Sequence, residues 1–299
     1  MALLPFDLPA GFLAHAERDD TWASWVAGVP RLVRDLLDEW TLAVDGTPVH
    51  GHTALVVPVT ADGERAVLKV AGPDDEGRHE ILGLQTWHGR GAVRLLRADP
   101  RRNAMLLERL HGRDLTEVPV LEACEVVAGL YDRLHVAAPP QLVPLTRYVA
   151  EWTDDLERLP RQSPLPRRIV EQAVHLARAF ETDAHSVGRM IHTDLHHENV
   201  LAADRDPWLA IDPKPVSGDP HYEVAPLLWN RWDEAVATGD VRTAVRRRFH
   251  TVVDAAGLDE ERARDWVVVR EAHHAMWAIE DGDRDRVTTA VAIIKAVQD

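Results

Sequence analysis

The chain has 299 residues, with 34 Lys and Arg against 49 Asp and Glu for a formal charge of −15, and it is 45% hydrophobic and 28% charged. That composition excludes a disordered, collagenous or disulfide-framed chain and leaves one large domain or two lobes around a real core. The negative balance opposes a sequence-independent grip on nucleic acid or anionic lipid, both of which need Lys and Arg, and suits a cationic or metal-bridged partner.

In chain order, Trp22, Trp25, Val26, Val29, Leu32, Val33, Leu36 and Leu37 recur at helical spacing, and Pro30 sits where a second helix would begin, so two short helices are expected. The texture then turns to β-branched runs, Thr41 to Val44, Ala54 to Thr60 and Ala66 to Val70, parted by Asp45-Gly46 and Asp62-Gly63. A helix from about Asp75 to Trp87 and two more strands, Val93 to Ala98 and Ala104 to Glu108, complete a small α+β lobe with a five-stranded antiparallel sheet. After Gly112 the pattern is helical, with one stripe through Val120, Ala123, Val127, Leu130, Tyr131 and Leu134 and another through Ile169, Ala173, Leu176 and Phe180. Prolines from Pro139 to Pro166 interrupt the two and enclose an amphipathic piece near Tyr148 to Leu159. The expected division is residues 1–110 for the first lobe, with its N-terminal helices, and 111–299 for the larger, mainly helical one. Neither an apolar run of membrane length nor a signal-peptide pattern is found, and Cys124 is the single cysteine. A soluble cytoplasmic protein is expected, monomeric or weakly dimeric.

The densest polar cluster is His192-Thr193-Asp194-Leu195-His196-His197-Glu198-Asn199, held between apolar anchors and followed by a strand-like run ending at Asp212. Asp194 and Asn199 are five apart and Asp212 stands thirteen beyond. Phosphoryl transfer needs a carboxylate that orients a hydroxyl and takes its proton, and a hard Mg²⁺ held by a carboxylate and an amide oxygen. Asp194 supplies the first, and Asn199 and Asp212 supply the second.

HTDLHHENVL followed by IDPKP resembles the catalytic and metal loops of aminoglycoside phosphotransferases, and GDPHYEVAPLLWN resembles the continuation in the streptomycin and hydroxyurea kinase branch. The resemblance is strongest over residues 190–232, where His192 to Asn199 forms an HxDxxxxN. It implies a bilobal protein-kinase-like fold and transfer of the ATP γ-phosphoryl group, with GTP as the alternative donor, to a hydroxyl of a small cationic antibiotic. An aminoglycoside or a cationic peptide fits that description. Many relatives carry glycine where this chain has Thr193 and Glu198, and aspartate where it has Glu223. The Cβ of Thr193 restricts the backbone beside Asp194, and Glu198 adds a carboxylate beside a metal ligand.

A kinase-like first lobe needs a strand lysine paired with a helix carboxylate. Lys69, flanked by Val67, Leu68 and Val70, supplies the lysine, and Glu80, eleven residues on, is its partner, with Glu76 as the competitor. His50, Gly51 and His52 form a loop that could cover phosphates with backbone N–H groups, although its single glycine is a poor glycine motif. Glu108 to Leu110 is the expected hinge meeting the nucleotide base. Glu198, Glu223, Asp233, Glu271 and Glu280 are candidate receivers of substrate ammonium or guanidinium groups. Each such pair is worth ~4 kcal/mol at ~4 Å and an effective dielectric of ~20 before desolvation, against ~0–1 when exposed. Trp229, Trp277 and His274 offer stacking, while Asp219 reads as structural and Arg270 to His274 as a half-solvated helix face.

Three rival readings accompany this one. A metabolite or sugar kinase shares the same parts, and a metal-dependent hydrolase would use His192, Asp194, His196 and His197 as ligands. A non-enzymatic binding protein on a degenerate kinase fold is the third.

Overall fold

Asp19 opens the first long element by accepting the N–H of Trp22 at 2.9 Å. The computed structural model describes residues 4–73 and 76–298, and its contacts divide the chain into one unit up to His111 and another from Gly112.

In the first unit a short helix α1 (Ala10–Leu13) precedes α2 (Asp20–Glu39), a single helix of 20 residues. The two short helices expected here are therefore one. Pro30 lacks the N–H that would reach the Val26 carbonyl, but the apolar stripe runs unbroken from Val26 and Val29 to Val33, Leu36 and Leu37. All five are buried against the sheet, and that burial outweighs one lost hydrogen bond.

Strands β1 (Leu42–Val44), β2 (Val49–His50), β3 (Ala54–Ala61), β4 (Glu64–Ala71), β5 (Leu95–Asp99) and β6 (Ala104–Glu108) form an antiparallel sheet in the order β1-β3-β4-β6-β5. It is five strands wide. The sixth strand, β2, pairs with Leu55 and Val56 on the β3 edge that β1 occupies further along. The helix α3 (Glu80–Trp87) is preceded by a 3₁₀ turn at Glu76–His79, whereas the expected start at Asp75 lies outside the described residues.

The second unit carries α4 (Val120–Leu134), α5 (Leu145–Glu157) and α6 (Arg167–Thr182), then four short strands, β7 (Arg189–Ile191), β8 (Val200–Ala202), β9 (Trp208–Ala210) and β10 (Val216–Gly218). Helices α7 (Pro226–Trp229), α8 (Trp232–Ala237), α9 (Val241–Ala256), α10 (Glu260–Glu280) and α11 (Arg284–Gln298) follow. Helix α10 is buried on nearly every side, Arg270, Glu271 and His273 included. The half-solvated face expected over Arg270 to His274 is thus reduced to His274, because α5, α6, α9 and α11 all pack around this helix. No helix among the described residues is long and apolar enough to cross a membrane.

The strand pairing positions the polar loops. β7 pairs with β10 and β8 pairs with β9, both antiparallel. The 192–199 loop joins β7 to β8 and the 211–215 loop joins β9 to β10, so both loops are pinned at both ends by the same two ladders and must lie side by side. Gly218 allows the tighter ladder, since a Cβ there would stand 2.5 Å from Ile191 Cδ1.

Candidate active site

Thr193 is the residue on which the 192–199 loop turns. Its φ is +64°, in the left-handed region that a β-branched side chain rarely enters. Three distant segments hold it there. Its N–H donates to Glu223 Oε1 at 2.6 Å, its Oγ1 hydroxyl donates to the Lys214 carbonyl at 2.7 Å, and its carbonyl accepts from Arg270 Nη2. Strain of ~1–3 kcal/mol persists only where surroundings over-determine a conformation, and here every polar group of the residue is engaged.

Glu223 is fully buried, although sequence reasoning offered it as a substrate contact. Its Oε1 receives Thr193 and its Oε2 receives His135 Nε2 at 2.7 Å, while its carbonyl accepts the Tyr131 hydroxyl at 3.0 Å. Burial alone would raise its pKa, but His135 and the Thr193 N–H outweigh burial and hold it below the ordinary glutamate value. Its task is to clamp the loop, not to meet a solute.

Beyond Thr193, Asp194 is about a quarter exposed. Its N–H donates to His192 Nδ1 at 3.3 Å, and its carbonyl accepts from Asn199 Nδ2 at 2.8 Å and from the His196 N–H at 3.1 Å. His192 is completely buried and its pKa is lowered, chiefly by burial. Its Nε2 donates to the Ile211 carbonyl at 2.9 Å, which leaves Nδ1 as the acceptor for Asp194. Both ring nitrogens are thereby used within the protein.

The two loops are stitched by the backbone as well, with Ile211 N–H to the Asn199 carbonyl at 2.9 Å and Lys214 N–H to the His192 carbonyl at 3.0 Å. Asp212 has φ +55°, a conformation aspartate tolerates better than threonine does. Asn199 directs its amide nitrogen to the Asp194 carbonyl and to His196 Nε2 at 3.1 Å, which fixes the side chain with Oδ1 turned away from both. An amide oxygen and a carboxylate are the hard donors that magnesium accepts while keeping several waters. Among the described residues, no group of three His, Cys, Asp or Glu side chains is placed to hold a metal ion. The hydrolase reading therefore fails on its ligands: His192 is consumed by the loops, and His197 is buried with Nδ1 on Asn230 Oδ1 at 2.6 Å.

The remaining candidates divide by unit. In the first, Lys69 Nζ lies 2.6 and 2.8 Å from the two oxygens of Glu80, both residues being buried. The side chain of Glu76 is outside the described set. Gly51 turns its N–H onto the Ala54 carbonyl at 3.0 Å, closing the β2–β3 hairpin and withdrawing that amide from phosphate binding. His50 and His52 are exposed, and the His52 carbonyl accepts from Arg18 Nη2 at 2.7 Å. Glu108 Oε1 accepts the Arg94 N–H at 2.7 Å at the end of β6, and Leu110 follows half-buried.

In the second unit Glu198 is exposed and accepts from Asn230 Nδ2 at 3.2 Å. Glu271 is buried and its carboxyl is pushed up to about 8 by burial, against a smaller opposing effect of Arg270. Trp229 and His274 meet at 4.2 Å and His274 and Trp277 at 5.5 Å between ring centroids. The row continues through Trp152 at 5.0 Å from Trp277 and Tyr148 at 5.6 Å from Trp152, two residues that sequence reasoning did not single out. Arg270 lies over Trp229 at 4.9 Å and Tyr222 at 4.2 Å, so the helix that holds Thr193 also packs against one end of this row. Asp219 is buried and ties α10 to the 3₁₀ turn at Pro220–Val224. Its contacts are His221 Nδ1, Arg262 Nε and Trp266 Nε1, each at 2.6 Å.

Six residues separate Asp212 from Asp219. The solved aminoglycoside phosphotransferase APH(4)-Ia, in a ternary complex with AMP-PNP and hygromycin B, superposes with a TM-score of 0.63 at 17% identity. That match covers 89% of this chain and 97% of the other. Choline kinase LicA from Streptococcus pneumoniae gives 0.61 at 12% identity over 90% and 99%. The fold is thus the bilobal protein-kinase-like α+β fold.

Residues 39–282 match the aminoglycoside/hydroxyurea antibiotic resistance kinase family, and the chain belongs to it. It is 43% identical over 92% of its length to a streptomycin 6-kinase of Streptomyces glaucescens, of which it covers 91%. It is also 41% identical over 87% of its length to a hydroxyurea phosphotransferase of Kitasatospora aureofaciens, of which it covers 76%. The protein is accordingly a phosphotransferase.

Proposed function

We propose that this kinase transfers the γ-phosphoryl group of ATP to a hydroxyl of a streptomycin-like aminoglycoside inside the cell, with Asp194 as the base. The observation that carries the reading is the clamp on Thr193, which fixes the backbone carrying Asp194 while its carboxylate stays accessible. The family match supports the reaction class, and the streptomycin 6-kinase relatives support the acceptor.

Lys69, oriented by Glu80, holds the α- and β-phosphates as an immobilised point charge. Asn199 and Asp212 would hold magnesium, which when bound neutralises charge on the phosphate oxygens. Asp194 accepts the hydrogen of the acceptor hydroxyl and aims its oxygen in line with the phosphorus. The half-buried row from Tyr148 to Trp229 gives a cationic acceptor ring faces to lie against, and Glu198 adds an exposed carboxylate.

A second acceptor class, hydroxyurea, is favoured by a relative of nearly equal identity. A phosphorylation panel read by mass spectrometry decides between them: streptomycin, other aminoglycosides, cationic cyclic peptides and hydroxyurea, each with ATP and with GTP. A streptomycin adduct heavier by one phosphoryl group is expected with ATP. Modification of hydroxyurea alone transfers the reading to the second class, and modification of none refutes the antibiotic acceptor.

A further inference from the structure

We propose that Lys214 is a further catalytic residue, which fixes the rotation of the Asp194 carboxylate and lends its positive charge to the phosphoryl group in transit. This rests on the reading of Asp194 as the acceptor-orienting group.

Lys214 stands in the 211–215 loop between Pro213 and Pro215, both buried, so the backbone on either side has a preset φ and a packed anchor. Its N–H donates to the His192 carbonyl at 3.0 Å and its carbonyl accepts from Thr193 Oγ1 at 2.7 Å. The main chain of Lys214 is therefore tied to the two residues before Asp194. The side chain leaves this rigid base, stays one-third exposed, and brings Nζ to 3.3 Å from Asp194 Oδ2. The other carboxylate oxygen, Oδ1, has His196 Nε2 at 3.8 Å, too far for a hydrogen bond.

The 192–199 loop is already held through the backbone of Thr193 and Asp194, and a partly exposed ion pair contributes little to stability. What the lysine adds is control of the one torsion the backbone leaves open, the rotation of the Asp194 carboxylate. Its charge also has a second use.

During transfer the bond between the γ-phosphorus and the β-γ bridging oxygen breaks, and its electron pair leaves with ADP. The acceptor oxygen forms the new bond to phosphorus, and its proton passes to Asp194. An acceptor oxygen in hydrogen-bond contact with Asp194 puts the phosphorus one bond further on, so a cation touching the same carboxylate stands within reach of the equatorial phosphoryl oxygens. Lys214 keeps its own proton throughout and acts as a fixed charge where negative charge gathers in the transition state.

The test uses the full chain and compares Lys214→Met, which preserves length without charge, with Lys214→Arg and with Asp194→Asn. With ATP and streptomycin, Lys214→Met is expected to lose about 10²–10³-fold in kcat while both KM values stay within about threefold, and Lys214→Arg is expected to recover at least tenfold of the loss. The second measurement is calorimetric affinity for ADP–magnesium with and without aluminium fluoride, which imitates the phosphoryl group in flight with water or streptomycin as the in-line ligand. Lys214→Met should leave ADP affinity within about threefold and weaken the aluminium fluoride complex by at least about thirtyfold. Equal weakening of both complexes, an unchanged kcat, or a loss confined to KM with a lowered Tm would each overturn the role. Should Asp194→Asn turn over like the wild type, the base reading fails instead. If streptomycin is not the acceptor, the aluminium fluoride pair still decides the matter for Lys214.

Discussion

The two regions proposed to carry the function of this kinase are held in opposite ways. The Lys69–Glu80 pair joins neighbouring elements eleven residues apart, and each oxygen of the carboxylate faces the same ammonium inside the first unit. The Asp194 loop is held by residues 21, 30 and 77 positions from Thr193, contributed by the 211–215 loop, the 3₁₀ turn at Pro220–Val224 and helix α10. One region is a pair whose members need each other; the other is a strained point braced from three sides. Loss of one partner should be ruinous in the first, whereas in the second the cost should depend on which brace is removed.

The largest effect on stability is expected at Lys69. Lys69→Met leaves Glu80 buried without its cation and should destabilise the first unit by about 3–5 kcal/mol, seen as a lowered denaturation midpoint, together with loss of ATP-dependent turnover. The double variant Lys69→Met with Glu80→Leu should recover much of the stability and none of the turnover, since an apolar pair of similar volume removes the buried charge. A single variant as stable as wild type would show that the pair is more hydrated than its burial indicates.

Next comes the buried brace. Glu223→Gln keeps the shape but leaves its two donors, the Thr193 N–H and His135 Nε2, facing an uncharged group with only one acceptor oxygen. A loss of about 1–3 kcal/mol and of about tenfold or more in kcat is expected from equilibrium unfolding and steady-state kinetics. The pH dependence has a definite sign. The folded pKa of Glu223 is depressed, so its stabilisation is complete above the ordinary glutamate value and is lost as pH falls through the folded value.

Glu271 should behave in the reverse sense. Its folded pKa is raised to about 8, so its contribution is fully present below about pH 4.5 and is lost as pH rises toward 8. Glu271→Gln should flatten that decline and add about 2–3 kcal/mol at pH 7 relative to wild type, measured by denaturant midpoints at pH 5, 7 and 8.5. His273 acts on the acid side: burial lowers it to about 3, so stability falls as pH drops below the ordinary histidine value. An unchanged alkaline slope in Glu271→Gln would mean that this carboxyl is ionised and has found a partner on α10 or its neighbours.

The smallest effect is expected at Thr193 itself. Thr193→Gly removes the cost of a β-branched residue at positive φ, about 1 kcal/mol, and also removes the Oγ1 bond to the Lys214 carbonyl, of similar worth. A near-neutral change in Tm and a kcat within about threefold should result. A much larger loss of activity would show that the hydroxyl tie to the 211–215 loop carries more of the alignment than the backbone ties do.

Much of the proposed site is legible in the chain before any coordinates. Asp194, Asn199 and Asp212 stand at short, fixed spacing with apolar flanks, and Lys69 and Glu80 sit on adjacent elements whose periodicity is plain. The clamp is not legible. Nothing near Glu223, His135 or Arg270 in the sequence marks them as partners of Thr193, because each hydrogen bond spans a long stretch of chain. The same limit explains Pro30 and the 270–274 segment. A proline reads as a helix boundary and a charged run as a wet surface unless the packing around them is known.

The order of residues alone determined most of the elements, the position of the proposed phosphoryl-transfer motif and the family resemblance, since these follow from periodicities of two to four residues and from motifs only a few residues long. Tertiary structure alone decided which carboxylates are buried braces and which face solvent, and it placed Lys214 on Asp194. The physical reason is that burial and pairing in low dielectric set the role of a charged side chain, and both depend on segments that meet only when the chain is folded.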